Sequence, residues 1–154
     1  MRRLFIIRKD LHLSAGKLAA MVGHCCEAYW TNLLKKSYKE TALIDTSTYD
    51  CVGFPIYVDC NIWHEYINGI FTKTICEAKN RNQLMKVIDI IEKLREDGIC
   101  DLVEGKDYGF INDSCLTELT PENEDGTTTI GIWFKPLSDD VAHIISKKYK
   151  LYRD

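Results

Sequence analysis

Several features that would narrow the function at once are missing from this chain of 154 residues. It has three prolines, no low-complexity tract and no apolar run near the ~18 residues of a membrane span. The start, Met1 to Arg8, is too short and too soon charged again for a secretory signal. With an ordinary hydrophobic fraction of 45%, these absences exclude disordered, collagen-like and coiled-coil chains. They predict a globular protein without a membrane segment.

Common catalytic motifs are also absent. The sequence contains no Gly-rich phosphate loop, no Gly-x-Ser-x-Gly and no His-Glu-x-x-His. It has no Cys-x-x-Cys pair, and in His24-Cys25-Cys26 adjacent helical residues would point to different faces, so we predict no metal site. The seven cysteines are odd in number, which favours a reducing cytosol and a cytoplasmic protein.

Charge is distributed unevenly along the chain. Residues 1–40 hold eight Lys/Arg and three Asp/Glu, whereas residues 41–154 hold twelve and twenty, for a net charge of −3. This asymmetry points to an anionic partner near the N-terminal segment, although a solvated basic surface without a partner gives the same pattern.

Apolar periodicity predicts alternating strands and helices. Strands are expected at 3–8, 71–76 and 127–134, shorter extended pieces at 52–58, 100–103 and 108–111, and helices at 15–38, at 81–97 and after Ser138. We therefore predict one α/β domain over 1–154, with an inserted excursion at about 41–66. Its architecture is three-layer α/β/α, around a mixed and mainly four-stranded sheet.

The junction before the first long helix carries two locally unfavourable residues. Gly16 lowers helix propensity by about 1 kcal/mol, and Lys17 opposes the helix dipole by roughly 0.3–1 kcal/mol. A bound anion would explain both, and so would a tolerated surface lysine beside a packing glycine. Lys17, Met21 and His24 share one helix face that could line a cleft, although a lone His is more often a hydrogen-bonded core residue.

A second polar segment runs from Asn112 to Thr117, where Asp113 and Thr117 could hydrogen-bond each other. Taken alone, it also fits an ordinary turn. No spacing of residues in the sequence supports Cys115 as a catalytic nucleophile.

The two segments together resemble a known family. The run Leu4 to Leu11, followed by Gly16-Lys17-Leu18-Ala19-Ala20-Met21-Val22-Gly23-His24, is similar to the N-terminal signature of the archaeal and eukaryotic-type peptidyl-tRNA hydrolases. Asp113 to Pro121 resembles the family's Asp-Ala-Gly-Arg/Lys-Thr-Gln-Ile-x-Pro segment. Thr129-Ile130-Gly131-Ile132 and Lys147 to Tyr152 resemble its later strand and its ending.

The resemblance implies hydrolysis of the ester that joins a peptide to tRNA, without a metal or cofactor. It ties Lys17, Asp113 and Thr117 to activity and implies that the two motifs meet at one end of the sheet. His24, Met21 and Lys73 would support the cleft. The expected tRNA contacts are basic residues of the N-terminal segment: Arg2, Arg3, Arg8, Lys9, Lys35, Lys36 and Lys39.

Departures from the family pattern keep other functions open. Met21 stands where the family has a Gln, Ala15 where it has a basic residue, and Glu77 where it has a Lys. Cys115 and Leu116 replace a Gly and a basic residue, and an acidic insertion at 122–125 follows Pro121. These changes remove polarity or positive charge from the expected site. A non-catalytic tRNA- or protein-binding module and a different small-molecule hydrolase or transferase are therefore alternatives, and the aromatic excursion would suit a homodimer.

Overall fold

The computed structural model describes residues 1–41 and 53–153, which form a five-stranded sheet with helices on both faces. The strands are β1 (Arg3–Arg8), β2 (Lys73–Ala78), β3 (Tyr108–Asp113), β4 (Thr128–Phe134) and β5 (Lys150–Leu151). The helices are α1 (Ala15–Glu40), α2 (Arg81–Glu96) and α3 (Asp139–Ser146), together with a π-helix at Ile62–Ile67.

The sheet is mixed, as predicted, and its order is β3-β4-β1-β2-β5. β1 runs parallel to β2 and antiparallel to β4, and β3 runs antiparallel to β4. The carboxyl ends of β1 and β3 therefore lie at the same edge of the sheet, together with the start of β4. The fifth strand, absent from the predicted set, has two residues that pair with Cys76 and Glu77.

Side chains along β1 point alternately to the two faces of the sheet and so contribute to two separate apolar clusters. Leu4 and Ile6 face the cluster built by α2 and α3, whereas Phe5 and Ile7 face the cluster beneath α1. All four residues have no exposed surface, so the central strand is covered on both faces. This confirms the three-layer arrangement.

The predicted helix starts are confirmed by capping hydrogen bonds. Ser14, Asn80 and Ser138 each accept a backbone N–H from the residue three positions later. Gly98 ends α2 with a φ of 66°, the left-handed conformation expected of a glycine just after a helix.

Two of the extended pieces expected from sequence are not strands. Residues 100–103 form none, because they lead into a turn in which the Asp107 carboxylate accepts the Val103 N–H. In the second piece, 52–58, residues 53–58 form no strand. Val52 and residues 42–51 of the excursion lie outside the described residues. The π-helix at Ile62–Ile67 overlaps the end of the excursion and buries Ile62 and Tyr66 beneath α1.

Candidate active site

Lys17 lies in the first turn of α1, at the edge where β1 and β3 end. Ser14 fixes this turn because its hydroxyl accepts the Lys17 backbone N–H at 3.3 Å. A cation opposes the dipole of this helix end, so the position needs a compensating negative charge. The structure supplies that charge from the other side of the site.

Asp113 is the last residue of β3 and is 7% exposed. β3 and β4 change register between Ile111 and Asn112, and beyond this bulge Asp113 pairs with Thr128. Bulges re-aim side chains near the ends of strands. The carboxylate is thereby held beneath the start of α1 rather than in solvent.

The structure brings together the three residues that the resemblance ties to activity. The Lys17 ammonium lies 2.6 Å from Asp113 Oδ2 and donates to Thr117 Oγ1 at 3.4 Å. The ammonium and carboxylate are mostly covered, with side-chain exposures of 15% and 8%, whereas Thr117 is exposed. One cation thus lies between a buried carboxylate and an accessible hydroxyl.

The Asp113 carboxylate is held in its ionised form. Burial alone would raise its pKa, but hydrogen bonds from the Lys17 ammonium and the Cys115 N–H bring the pKa below its ordinary value. The Cys115 N–H donates to Oδ1 at 2.9 Å, and Cys115 itself adopts a positive φ of 55°. Both carboxylate oxygens therefore have a donor from the protein.

The three residues predicted to support the cleft occupy different places. His24 is exposed on α1, and its electrostatic interaction with Asp113 is a minor contribution to the lowered pKa of that carboxyl. Met21 is 4% exposed and belongs to the apolar cluster beneath α1, so it supports the helix from within. Lys73 is not brought to the site, because it pairs with Arg3 at the opposite edge of the sheet.

Glu118 is a site residue that the sequence reasoning did not identify. It follows Thr117 directly, and its carboxylate accepts the Ser14 N–H at 3.2 Å and the Ser14 hydroxyl. Hydrogen bonds from Ser14 and the positive charge of Lys17 lower the pKa of Glu118. The only sequence signal was an acidic residue next to a candidate site residue, which is too common to be informative.

Arg8, an expected tRNA contact, is 2% exposed. Its guanidinium binds Glu122 with Nη1 at 2.5 Å and Nη2 at 2.9 Å, and binds Asp10 with Nη2 at 2.8 Å. Arg81 at the start of α2 also approaches Glu122, at 3.7 Å. Arg8 therefore holds the loop between β3 and β4 against the end of β1 and does not present its charge to solvent.

Other expected tRNA contacts are dispersed. Arg3 is 1% exposed and donates to the Phe134, Cys25 and Cys26 carbonyls. Lys9 lies over the Tyr152 ring at 4.4 Å and within 4.0 Å of Glu77. Arg2 pairs with Asp139 at 2.7 Å. The remaining three are exposed on the last turns of α1: Lys35, Lys36 and Lys39.

A groove of about 720 Å³ lies on the other flank of α1. Its walls include Leu18, Val22, Ile75 and Tyr152. Ile75 belongs to β2, and the sheet order places β2 on the side of β1 opposite to β3, which carries Asp113. The groove and the Lys17–Asp113 pair are therefore separate features of the surface around α1.

Within residues 1–41 and 53–153, no group of three or more His, Cys, Asp or Glu side chains is arranged to hold a metal ion. Across the same residues, no helix has both the length and the apolar character to cross a membrane.

The comparisons with known proteins agree with the resemblance seen in the two motifs. A family model described as "Peptidyl-tRNA hydrolase PTH2" matches residues 1–152. No curated protein matches the chain. Because the family match spans both motifs and every strand and helix described above, the chain belongs to the peptidyl-tRNA hydrolase PTH2 family.

Proposed function

We propose that this chain hydrolyses the ester bond between peptide and tRNA in peptidyl-tRNA and so releases tRNA for reuse. The observation that carries the proposal is the cluster of Lys17, Asp113 and Thr117, in which an ionised carboxylate and an ammonium meet beside an accessible hydroxyl. Family membership supplies the reaction class, and this cluster supplies groups suited to it.

In the proposed reaction, water attacks the ester carbonyl and the Asp113 carboxylate accepts its proton. A general base of this kind contributes typically 10²–10⁴-fold to the rate. A carboxylate oxygen accepts more than one hydrogen bond, so Oδ1 can bind a water while it retains the Cys115 N–H. The site then needs no displacement of the Lys17 ammonium to hold the nucleophile.

The tetrahedral intermediate carries a negative charge on the former carbonyl oxygen. We assign its stabilisation to Lys17, a role worth about 10²–10³-fold for a single donor. The C–O bond to the ribose then breaks, and the leaving oxygen takes back the proton that Asp113 accepted from water, which gives a peptide carboxylic acid, a free tRNA hydroxyl and an ionised Asp113. Thr117 is exposed and already contacts the Lys17 ammonium, which suits a hydrogen bond to the ester or the ribose.

Contacts with tRNA are assigned to the exposed lysines of α1. Lys36 lies 19 positions after Lys17 in the sequence, a separation of about 28 Å at the helical rise of 1.5 Å per residue. A phosphate contact at that distance from the ester would fall on the tRNA body, not on its 3′ end. Lys35 and Lys39 on the same turns would add to this electrostatic contact, which makes affinity depend on salt.

A second candidate function is tRNA binding without turnover. The observation that favours it is the occupation of both Asp113 oxygens, by the Lys17 ammonium and the Cys115 N–H. If these donors exclude water, the same scaffold binds the substrate and leaves the ester intact.

One experiment separates the two candidates. Labelled peptidyl-tRNA is incubated with the wild type, D113N and K17A, while binding of deacylated tRNA is followed in parallel. Hydrolysis by the wild type, lost in D113N with binding retained, supports the hydrolase. Tight binding by all three without hydrolysis supports the binding module. Turnover of a model ester, but not of peptidyl-tRNA, would point instead to a small-molecule substrate.

A further inference from the structure

The loop after β3 carries Thr117 between two fixed points. At its start, the Cys115 N–H binds the Asp113 carboxylate. At Glu118, the carboxylate accepts both the N–H and the hydroxyl of Ser14. Between them Leu116 is 89% exposed and Thr117 is exposed, so packing holds neither residue.

Ser14 connects this loop directly to the backbone of Lys17. Its hydroxyl donates to Glu118 and accepts the Lys17 N–H at 3.3 Å. A single oxygen thus joins the residue next to Thr117 to the backbone of the residue that pairs with Asp113. A hydrogen bond to a carboxylate is about twice as strong as a neutral one, and this carboxylate lies at a helix N-terminus, where negative charge is favoured.

The direct contact between the two sides is weaker at Thr117. Its hydroxyl is 3.4 Å from the Lys17 ammonium, at the long end for a hydrogen bond. That contact cannot by itself fix an exposed side chain on a loop. The geometry points to Glu118 as a positioning residue. Its hydrogen bonds to Ser14 set the position of Thr117 relative to Lys17 and Asp113. This inference rests on the proposed function for its kinetic consequence, but not for its structural one.

The fold is expected to survive removal of the Glu118 carboxylate. Leu119 packs against the apolar cluster beneath α1, and Glu122 is held by Arg8, so the rest of the loop keeps its anchors. E118A removes both hydrogen bonds to Ser14. E118Q keeps one acceptor and removes the charge. Glu124, an exposed carboxylate of the same loop, supplies the matched control E124Q.

The test measures both kinetics and order at Thr117. For E118A we expect kcat to fall about 10- to 100-fold with little change in KM, the size of loss that a misplacement of about 1 Å produces. E118Q should lie between E118A and the wild type, and E124Q should match the wild type. Because Glu118 acts partly through the Ser14 hydroxyl, E118A should cost less in an S14A background than in the wild type, whereas S14A by itself also loses the cap of the Lys17 turn.

The second readout is the backbone order parameter of the Thr117 amide by ¹⁵N relaxation. It should fall in E118A from a rigid value of about 0.85 towards 0.6, and remain high in E124Q. A loss of melting temperature with unchanged kcat and Thr117 order would overturn the proposal, because it indicates a structural role only. A higher KM with unchanged kcat and unchanged Thr117 order would also overturn it, because it indicates that Glu118 itself contacts the substrate. If the wild type hydrolyses no peptidyl-tRNA, the proposed function fails, and the order parameter alone decides the role of Glu118.

Discussion

The Lys17 ammonium lies 2.6 Å from the Asp113 carboxylate but 3.4 Å from the Thr117 hydroxyl. The shorter contact joins two largely covered charges, so it fixes the ammonium against the end of β3. The longer contact leaves Thr117 accessible. The site therefore has a charged pair on the side of the sheet and an exposed hydroxyl on the side of solvent, so a molecule that approaches from solvent meets the hydroxyl first.

The first prediction concerns the carboxylate. D113N should reduce hydrolysis of peptidyl-tRNA by about 10²–10⁴-fold, because an amide cannot accept the proton of the attacking water. Binding of deacylated tRNA should change little, since Asp113 is nearly buried. Single-turnover kinetics and a gel-shift titration measure the two effects. A circular dichroism spectrum like that of the wild type is the control, and full hydrolysis by D113N would remove Asp113 from the mechanism.

The second prediction concerns pH. Asp113 has a folded-state pKa below its ordinary value of about 3.9, so its ion pair stabilises the fold above that pH and the stabilisation is lost as pH falls through the folded pKa. Urea unfolding of the wild type and D113N between pH 3 and 7 measures this. Their difference in the free energy of unfolding should be constant near neutrality and shrink at acid pH. A difference that grows on acidification would contradict the lowered pKa.

The third prediction concerns Lys17. K17A removes the hydrogen bond that offsets burial of the carboxylate, so the pKa of Asp113 should rise. The acid limb of the pH–rate profile, where the hydrolysis rate falls as the pH is lowered, should then move to higher pH. The hydrolysis rate on the plateau above this limb should fall by about 10²–10³-fold. K17R, which keeps the charge, should retain the wild-type acid limb. If both variants shift the limb equally, lost charge is not the cause.

The two motifs of the candidate site could be singled out because each is local, but only the resemblance ties Lys17, Asp113 and Thr117 to activity. Gly16 and Lys17 are unfavourable choices at a helix start, and Asp113 and Thr117 are polar residues after a strand. That they meet follows from the antiparallel pairing of β4 with both β1 and β3, which brings the carboxyl ends of β1 and β3 to one edge. Lys73 lies away from this edge because it pairs with Arg3 at the start of β1, a register that the sequence pattern does not specify.

The contacts of the β3–β4 loop could not be predicted. Glu118 binds Ser14 and Glu122 binds Arg8, and each pair joins distant parts of the chain. Which loop residue meets which partner depends on the path of an irregular segment, for which hydrophobic periodicity gives no information. For the same reason the sequence predicts Arg8 to be an exposed tRNA contact, whereas the carboxylates of Asp10 and Glu122 cover it.

The fourth prediction concerns Cys115, which holds a positive φ of 55°. A side chain in this conformation costs about 1 kcal/mol or more, which glycine avoids. C115G should therefore raise the free energy of unfolding by about 1 kcal/mol, while its N–H continues to bind Asp113. C115A keeps the strained side chain and serves as the control. Equal unfolding midpoints in urea for C115G and C115A would show that the backbone is not strained there.

The fifth prediction concerns the link between Glu122 and Arg8. E122A leaves a guanidinium that is 2% exposed with Asp10 as its remaining carboxylate partner, so it should destabilise the fold by about 1–3 kcal/mol. R8A should cost a similar amount, and E122A/R8A should cost less than the sum of the two single variants, because both single changes break the same Arg8–Glu122 contact. Urea unfolding of the four proteins completes this cycle. The Lys17–Asp113 pair does not include either residue, so E122A should retain the wild-type acid limb of the rate profile, and a shifted limb would show that the loop couples the two clusters.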